Sequence, residues 1–141
     1  MIKWVLGHKI NPQIVTGDFD LTLGETPSHT QGPPPHHHNG YHEVFIVTKG
    51  QMEFMINGEL TVINEGESKN LPPKTIHTFS NSSDKVCKWI NIHSPKGFLE
   101  FFENLGVSEN EENAKLKSLS PEIIQKVINT ASQYDMIIAE K

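Results

Sequence analysis

The sequence predicts an all-β fold, a sandwich or barrel of antiparallel strands, followed by two α-helices. From residue 1 to about 93, short segments of alternating apolar and polar residues are separated by Gly, Pro and Asn, which is typical of antiparallel strands. The dipeptide Asn57-Gly58 separates two of these segments and supplies the two positive φ angles of a type I′ hairpin turn. Helical periodicity begins only after Pro95. The strands therefore come first and the helices last.

Length and composition favour one domain that works on small molecules in the cytoplasm. A chain of 141 residues suits a single hydrophobic core. A net charge of -5 without a basic stretch argues against a nucleic-acid partner. The apolar runs are too short to cross a bilayer, and the N-terminus lacks the apolar core of a signal peptide, so no membrane partner is expected. The single cysteine, Cys87, cannot form an internal disulfide.

Two segments, residues 18–23 and 51–56, alternate clearly enough to be predicted as strands with one buried face. We expect the buried face to carry the apolar residues, which are Phe19, Leu21 and Leu23 in the first segment and Met52, Phe54 and Ile56 in the second.

The C-terminal third predicts two amphipathic helices. Apolar residues from Phe98 to Leu105 recur at helical spacing, and Gly106 is placed as a C-terminal cap. After a mostly polar segment, Ser120 and Pro121 give the start of a second helix that should extend to about residue 134. Residues 1–95 are thus assigned to the β-structure and residues 96–141 to a helical extension packed on its outside, within one domain.

The segment PPPHHHNGYHE, residues 33–43, contains four of the eight histidines in the chain. In an extended strand His36 and His38 share a face, while His37 points to the other. In the next predicted strand Glu43 and His42 likewise face opposite ways. His36, His38 and Glu43 therefore form a candidate metal-binding group, whereas His37 and His42 are assigned to the surface.

A later strand completes this group. It begins near His77, with Phe79 on the same face, and His77 is the natural fourth ligand. Three imidazoles and a carboxylate suit iron, nickel, manganese, cobalt, copper or zinc, and they leave a divalent ion with a net charge of about +1. The other histidines, which are His8, His29 and His93, belong to no such group in the sequence and are assigned no role.

The same residues resemble the two motifs of the cupin family. The first motif is matched by His36, His38, Glu43 and Gly50, and the second by Gly66, Pro72, His77 and Asn81. Two departures fall in loops: Gly32 stands closer to the histidines than usual, and Lys74 replaces a glycine. The motifs span residues 32–81. The C-terminal segments PKGFLEFFENLG and QYDMII resemble small bacterial cupins that are described as quercetin dioxygenase-like.

This resemblance implies a small antiparallel jelly-roll barrel with the two helices outside it. It implies metal ligation by His36, His38, Glu43 and His77, and a metal-dependent dioxygenase in which Glu43 also takes a proton from a substrate hydroxyl. Because single-domain cupins usually pair, it also implies a homodimer. The N-terminal strand, with Ile2, Trp4 and Leu6, offers an apolar edge for such pairing.

The substrate is expected to be a small enolic or phenolic compound. Strand parity predicts an apolar pocket wall of Phe45, Val47, Phe54 and Phe79. The chain contains no arginine, which argues against bidentate recognition of a phosphate or carboxylate group. The alternatives are a binding or sensor module without turnover, a cupin-type sugar isomerase or epimerase, and a decarboxylase.

Overall fold

The computed structural model describes residues 1–139, which form two antiparallel β-sheets and a few C-terminal helices. The strands are β1 (Lys3–Val5), β2 (His8–Gln13), β3 (Asp20–Thr26), β4 (His36–His37), β5 (His42–Lys49), β6 (Gln51–Ile56), β7 (Glu59–Asn64), β8 (Ser68–Leu71), β9 (His77–Ser80), β10 (Cys87–Ser94), β11 (Val107–Ser108) and β12 (Ile137–Ile138). The helices are α1 (Leu99–Leu105), α2 (Ala114–Lys117) and α3 (Pro121–Thr130), followed by a 3₁₀ turn at Ala131–Tyr134.

The predicted all-β architecture with C-terminal helices is confirmed, but the sheets do not close into one barrel within residues 1–139. The larger sheet has the strand order β11-β1-β2-β3-β10-β5-β8, and the smaller one has the order β12-β4-β9-β6-β7. The predicted hairpin is present, since β6 pairs with β7 across Asn57 and Gly58, whose φ angles are 49° and 86°.

Aromatic side chains from both sheets meet in the core. Phe45 of the larger sheet contacts Phe54 and Phe79 of the smaller one, with ring centroids 5.1 and 5.0 Å apart. Trp89 packs against Phe45 at 5.2 Å. Side chains of α1 and α3 join the same buried cluster. The helical extension therefore shares its core with the strands.

The face of β3 that is buried is the opposite of the predicted one. Asp20, Thr22 and Thr26 point inward, while Leu21 and Leu23 point outward, and Leu23 is 40% exposed. The inner position between Thr22 and Thr26 is Gly24, where a Cβ atom would lie only 2.2 Å from the Trp89 ring. The bulk of Trp89 thus leaves room only for small inner residues. The outward leucines lie beside outward apolar residues of β10 and β5, in the rows Leu23–Ile90–Ile46 and Leu21–Ile92–Val44.

The two predicted helices are present with altered ends. Helix α3 begins as predicted, because the Ser120 side chain accepts a hydrogen bond from the backbone N–H of Ile123 and Pro121 occupies the first turn. It ends at Thr130, and the chain tightens into the 3₁₀ turn before Asp135 adopts a left-handed φ of 55°. The polar segment between the helices is not a plain loop, since it contains β11 and the short helix α2.

The N-terminal edge on which the homodimer prediction relied is covered. Strand β11 pairs with β1, with Trp4 opposite Val107. Leu6 is buried rather than presented to a partner. The homodimer stays a prediction, and another surface would have to provide its contact. Among residues 1–139, no helix is both long enough and apolar enough to cross a membrane.

Candidate metal centre

The four predicted ligands converge between the two sheets. His36 lies in β4 directly opposite His77 in β9, so the two imidazoles meet with ring centroids 4.4 Å apart. His38 follows β4 and lies 5.0 Å from the His36 ring. Glu43 enters from the other sheet, on β5. All four side chains are buried. This agrees with the alternation of inward and outward side chains along each strand.

Backbone carbonyls fix the orientation of the three imidazoles. The Nδ1 atoms of His36, His38 and His77 lie 2.9, 2.6 and 2.9 Å from the carbonyl oxygens of Pro34, Asp135 and Thr75. A carbonyl can only accept, so each Nδ1 carries the hydrogen that it donates. Each Nε2 is then left free as a donor atom for a metal. A hydrogen bond from the far ring nitrogen is the usual support of a metal-binding histidine.

The Glu43 carboxylate lies between these imidazoles and a second polar group. Its Oε1 atom is 3.1 Å from His77 Nε2 and 3.4 Å from His38 Nε2. Its Oε2 atom accepts a hydrogen bond of 2.8 Å from the Asn91 amide. Burial raises the pKa of Glu43, but His93, His38 and His77 outweigh burial and hold that pKa well below its usual range. The group is therefore a carboxylate at neutral pH.

The pKa values of His36 and His77 are shifted in opposite directions. Burial, reinforced by His77 and His38, lowers the pKa of His36 to about 3, so this ring is neutral and able to ligate. Burial also lowers the pKa of His77, yet the hydrogen bond and charge of Glu43 offset burial and raise it above the ordinary value. The negative charge of Glu43, 3.1 Å from His77 Nε2, would equally favour a cation held by that nitrogen.

His93 is a fifth member of this cluster, for which no role was predicted from the sequence. It lies on β10 opposite Glu43, with its Nε2 atom 3.5 Å from Glu43 Oε2, and it stacks on Phe98 at 4.4 Å. Burial lowers its pKa to about 4. Alternation in the segment WINIH places Trp89, Asn91 and His93 on the inner face of β10, and this signal could have identified it.

The donor set fits a transition metal. Two groups have ligand atoms within 4.8 Å of one another, namely His36 with His38 and His77, and His38 with Glu43 and His93. Within residues 1–139, the buried atoms Glu43 Oε1, His77 Nε2 and His93 Nε2 have no hydrogen-bond partner of good geometry. Buried polar atoms without partners are rare and costly, and a metal ion would satisfy the first two of these atoms. Imidazole nitrogens and one carboxylate suit the metals named above rather than calcium or magnesium.

The C-terminal segment forms one wall of the centre. Strand β12 pairs with β4, so Ile138 lies opposite His36. The Asp135 carbonyl holds His38, and the Asp135 carboxylate accepts hydrogen bonds from the backbone N–H groups of Asn39 and Gly40, at 2.9 and 2.7 Å. This segment therefore fixes both the His38 ring and the turn that follows it.

The loop with the unusual lysine also supports the centre. Lys74 has a left-handed φ of 69°, which explains why the cupin pattern has a glycine at this position. Its backbone N–H donates to the carbonyl of His38 at 2.6 Å. The departure from the motif therefore strains the backbone but keeps the contact.

A cavity of about 60 Å³ adjoins the cluster and is mostly apolar. Two of the four residues proposed for the pocket wall, Phe45 and Phe79, line it. Val47 and Phe54 are corrected, since they are buried in the core behind this wall and do not line the cavity. Their places are taken by residues that follow β10, which are Phe98, Phe101, Phe102 and Met136. Strand parity could not predict them because they lie outside the paired strands.

The remaining histidines lie in three different settings. His42 is exposed and His37 is half-buried. His29 is exposed, and its Nε2 atom lies 2.8 Å from an Asp84 carboxylate oxygen. His8, which the sequence analysis left without a role, is buried and lines the same cavity as the metal-binding group.

Comparison with solved structures gives the same fold. A sugar phosphate isomerase of the cupin superfamily from Silicibacter pomeroyi superimposes with a TM-score of 0.59 and 16% identity, over 64% of this chain and 61% of that one. This chain therefore spans about three-fifths of that protein. An RmlC-like cupin from Shewanella frigidimarina gives a TM-score of 0.59 and 18% identity over 68% and 84% of the two chains. KdgF from a Halomonas species gives 0.55 and 22% over 64% and 80%.

These identities show a shared fold and nothing finer. No curated protein matches the sequence. The family model described as the cupin domain matches residues 22–93, slightly more than half of the chain, and this range contains all four predicted ligands and His93. With its two antiparallel sheets and its histidine-rich centre between them, the chain belongs to the cupin domain family.

Proposed function

We propose that this cupin holds a divalent transition metal on His36, His38, Glu43 and His77 and acts as a metal-dependent oxygenase on a small enolic or phenolic compound. The observation that carries the metal assignment is the set of three Nδ1 hydrogen bonds to backbone carbonyls, which leaves three Nε2 atoms free in a buried cluster. His93 lacks such a bond among the described residues and is stacked on Phe98, so we assign it to Glu43 rather than to the metal.

A metal held there would act as a Lewis acid that stabilises a developing enolate or phenolate oxygen. The chain itself supplies the base. Glu43 is a buried carboxylate with Oε1 toward the ligand nitrogens and Oε2 fixed by Asn91. It can take the proton of a substrate hydroxyl, and His93 Nε2, 3.5 Å from Oε2, is placed to share that proton.

The cavity supports a small and uncharged substrate. A buried water needs about 10–15 Å³ measured in the same way, so about 60 Å³ suits a molecule that replaces roughly four to six waters. No lysine lies among the residues that line the cavity, and the chain has no arginine, so a phosphate group would lack a cationic partner.

A sugar isomerase or epimerase is the second candidate, because two of the structural neighbours are described as sugar phosphate isomerases. Proton transfer between adjacent sugar carbons would use the same Glu43 carboxylate and the same metal. The absence of cationic lining residues in the described cavity favours an unphosphorylated sugar if this candidate is correct.

Metal binding is tested first, by elemental analysis of protein purified without added metal. We expect about one first-row transition metal ion per chain. His77→Gln should lose most of it, because the variant removes a ligand whose Nε2 atom lies 3.1 Å from Glu43 Oε1. His42→Gln, in the same region but exposed, is the matched control and should keep it. Full metal content in a His36→Ala, His77→Ala double variant would refute the ligand set.

Turnover is tested by oxygen uptake over a panel of short enolic and phenolic compounds, with each first-row metal in turn. A Glu43→Gln variant that keeps its metal and loses oxygen uptake would support the oxygenase. Conversion of unphosphorylated sugars without oxygen, followed by NMR, would favour the isomerase. A compound that raises the melting temperature but is not converted under either condition would replace both with a binding module.

A further inference from the structure

One histidine outside the proposed ligand set lines the same cavity. His8 lies on β2, is 4% exposed and shares this cavity with His36, His38 and Glu43. Its Nε2 atom is buried and makes no hydrogen bond of good geometry within residues 1–139, although the backbone of Gln31 lies close enough to raise the pKa of the ring. His8 belongs to neither group with ligand spacing, so a metal at the centre does not explain it. Buried polar atoms normally have a hydrogen-bond partner, and a ligand in the cavity could be the partner of His8 Nε2.

The surrounding hydrogen bonds fix which ring nitrogen of His8 carries the hydrogen. The Trp89 Nε1–H group donates to Thr26 Oγ1 at 2.9 Å, since an indole nitrogen can only donate. Thr26 Oγ1 also lies 2.9 Å from His8 Nδ1, and the Thr26 side chain is completely buried. The threonine hydroxyl hydrogen has no other acceptor among the described residues, so it is donated to Nδ1. His8 Nδ1 is then an acceptor, and the ring hydrogen is on Nε2.

This tautomer is the opposite of that of the three metal-binding histidines. His36, His38 and His77 keep the hydrogen on Nδ1 and present a bare Nε2, whereas His8 presents Nε2–H. Burial lowers the pKa of His8 to about 4; the nearby carbonyl of Gln31 opposes this effect and the charge of Lys115 adds to it. The ring is therefore neutral at pH 7. It is suited to donate to an uncharged oxygen, and it cannot supply a positive charge.

We propose that His8 is a specificity-determining residue whose Nε2–H donates a hydrogen bond to a carbonyl or hydroxyl oxygen of the bound substrate, while other substrate oxygens reach the metal. This inference rests on the proposed function in one respect, namely that the substrate occupies the cavity beside the metal centre. It narrows the substrate class to molecules with at least two oxygen functions, one that can chelate or approach a metal and one neutral acceptor.

The test uses the zinc-loaded protein and two small oxygen ligands, acetylacetone and catechol. Binding is measured by calorimetry for wild type, His8→Phe and His8→Gln. Phenylalanine removes the donor and keeps an aromatic ring against Phe79, from which the His8 ring is 4.9 Å away. Glutamine keeps an N–H donor. A neutral hydrogen bond predicts about a three- to tenfold weaker affinity for His8→Phe. Glutamine should restore part of this loss, and zinc content should be the same in all three.

A second measurement needs no variant. Nitrogen-15 NMR of the histidine rings in zinc-loaded wild type should show His8 protonated on Nε2, and this signal should shift when the probe is added. If a probe binds but leaves the His8 signal unmoved, and His8→Phe binds it equally well, the role of His8 is refuted and the proposed function stands. If neither probe binds to the zinc-loaded wild type, both the proposed function and the role of His8 fail.

Discussion

Acidification from pH 7 to pH 5 should destabilise the protein through His8, and the size of this effect follows from its burial. The pKa of His8 is about 4 in the folded protein, whereas an unfolded chain has the ordinary value of 6.5. The folded state thus binds fewer protons than the unfolded state between these values, so stability is complete above pH 6.5 and is lost as the pH falls toward 4. Each pH unit in this window costs about 1.4 kcal/mol. The 1.5 units from pH 6.5 to pH 5 therefore cost about 2 kcal/mol.

The assay compares urea unfolding of wild type and His8→Gln at pH 7 and pH 5, with a chelator present so that metal release does not contribute. The other buried histidines titrate in both proteins and cancel from the comparison. Loss of the contact with Thr26 lowers the stability of the variant at both pH values and does not affect the difference. The free energy of unfolding of wild type should fall by about 2 kcal/mol more than that of the variant. Equal losses in the two proteins would refute the assigned burial and protonation state.

Three further changes have directions set by the structure. Lys74→Gly should raise the free energy of unfolding by about 0.5–1 kcal/mol, because glycine removes the cost of a left-handed lysine; a lower melting temperature would contradict this. Gly24→Ala should cost about 1–3 kcal/mol or more in urea unfolding, since its Cβ atom would overlap the Trp89 ring, and a neutral effect would mean that the ring can move aside. Asp135→Ala should weaken metal binding about tenfold in chelator competition, because it frees the turn after His38; unchanged affinity would show that the backbone alone holds this ring.

The convergence of the proposed ligands could be predicted from the sequence because most of their spacing is local. His36 and His38 are two residues apart, Glu43 follows one turn later, and period-two alternation settles which side chains share a face. The hairpin at Asn57-Gly58 was predictable for the same reason, since the turn chemistry lies within the dipeptide. The left-handed backbone at Lys74 could not be predicted from the lysine itself. It was indicated only by the cupin motif, which has a glycine at this position.

The buried face of β3 could not be predicted from the strand itself. Apolar residues on one face and polar ones on the other normally indicate that the apolar face is buried. In β3 the buried face is determined by Trp89, which is 65 residues beyond Gly24 in the sequence. Its ring fills the space that a larger inner side chain would occupy. The polar inner residues are tolerated because partners from other elements satisfy them: Thr26 binds Trp89 and His8, and Asp20 accepts from the backbone of Gly97.

The roles of His8 and His93 were not predicted because the residues that each contacts are distant in the sequence. His8 meets Thr26 across 18 residues, and His93 meets Glu43 across 50. Neither has a second histidine or carboxylate at strand spacing beside it in the sequence. Alternation in β10 would have placed His93 inward, but no local pattern indicates which ring nitrogen of His8 faces the cavity.

Because Asp135 holds His38, the candidate metal centre depends on a segment that is synthesised after all four proposed ligands. All four proposed ligands leave the ribosome long before residues 131–138, which supply the carbonyl for His38 and the strand beside His36. A nascent chain can therefore form the β-sheets while its centre still lacks one supporting wall. If the proposed metal is bound, its retention reports on whether residues 131–138 are in place, because a protease cut near Asp135 would spare most of both sheets and yet remove the support of His38. Bound metal, measured in a cell extract, would then count molecules in which this segment is docked rather than all molecules with folded sheets.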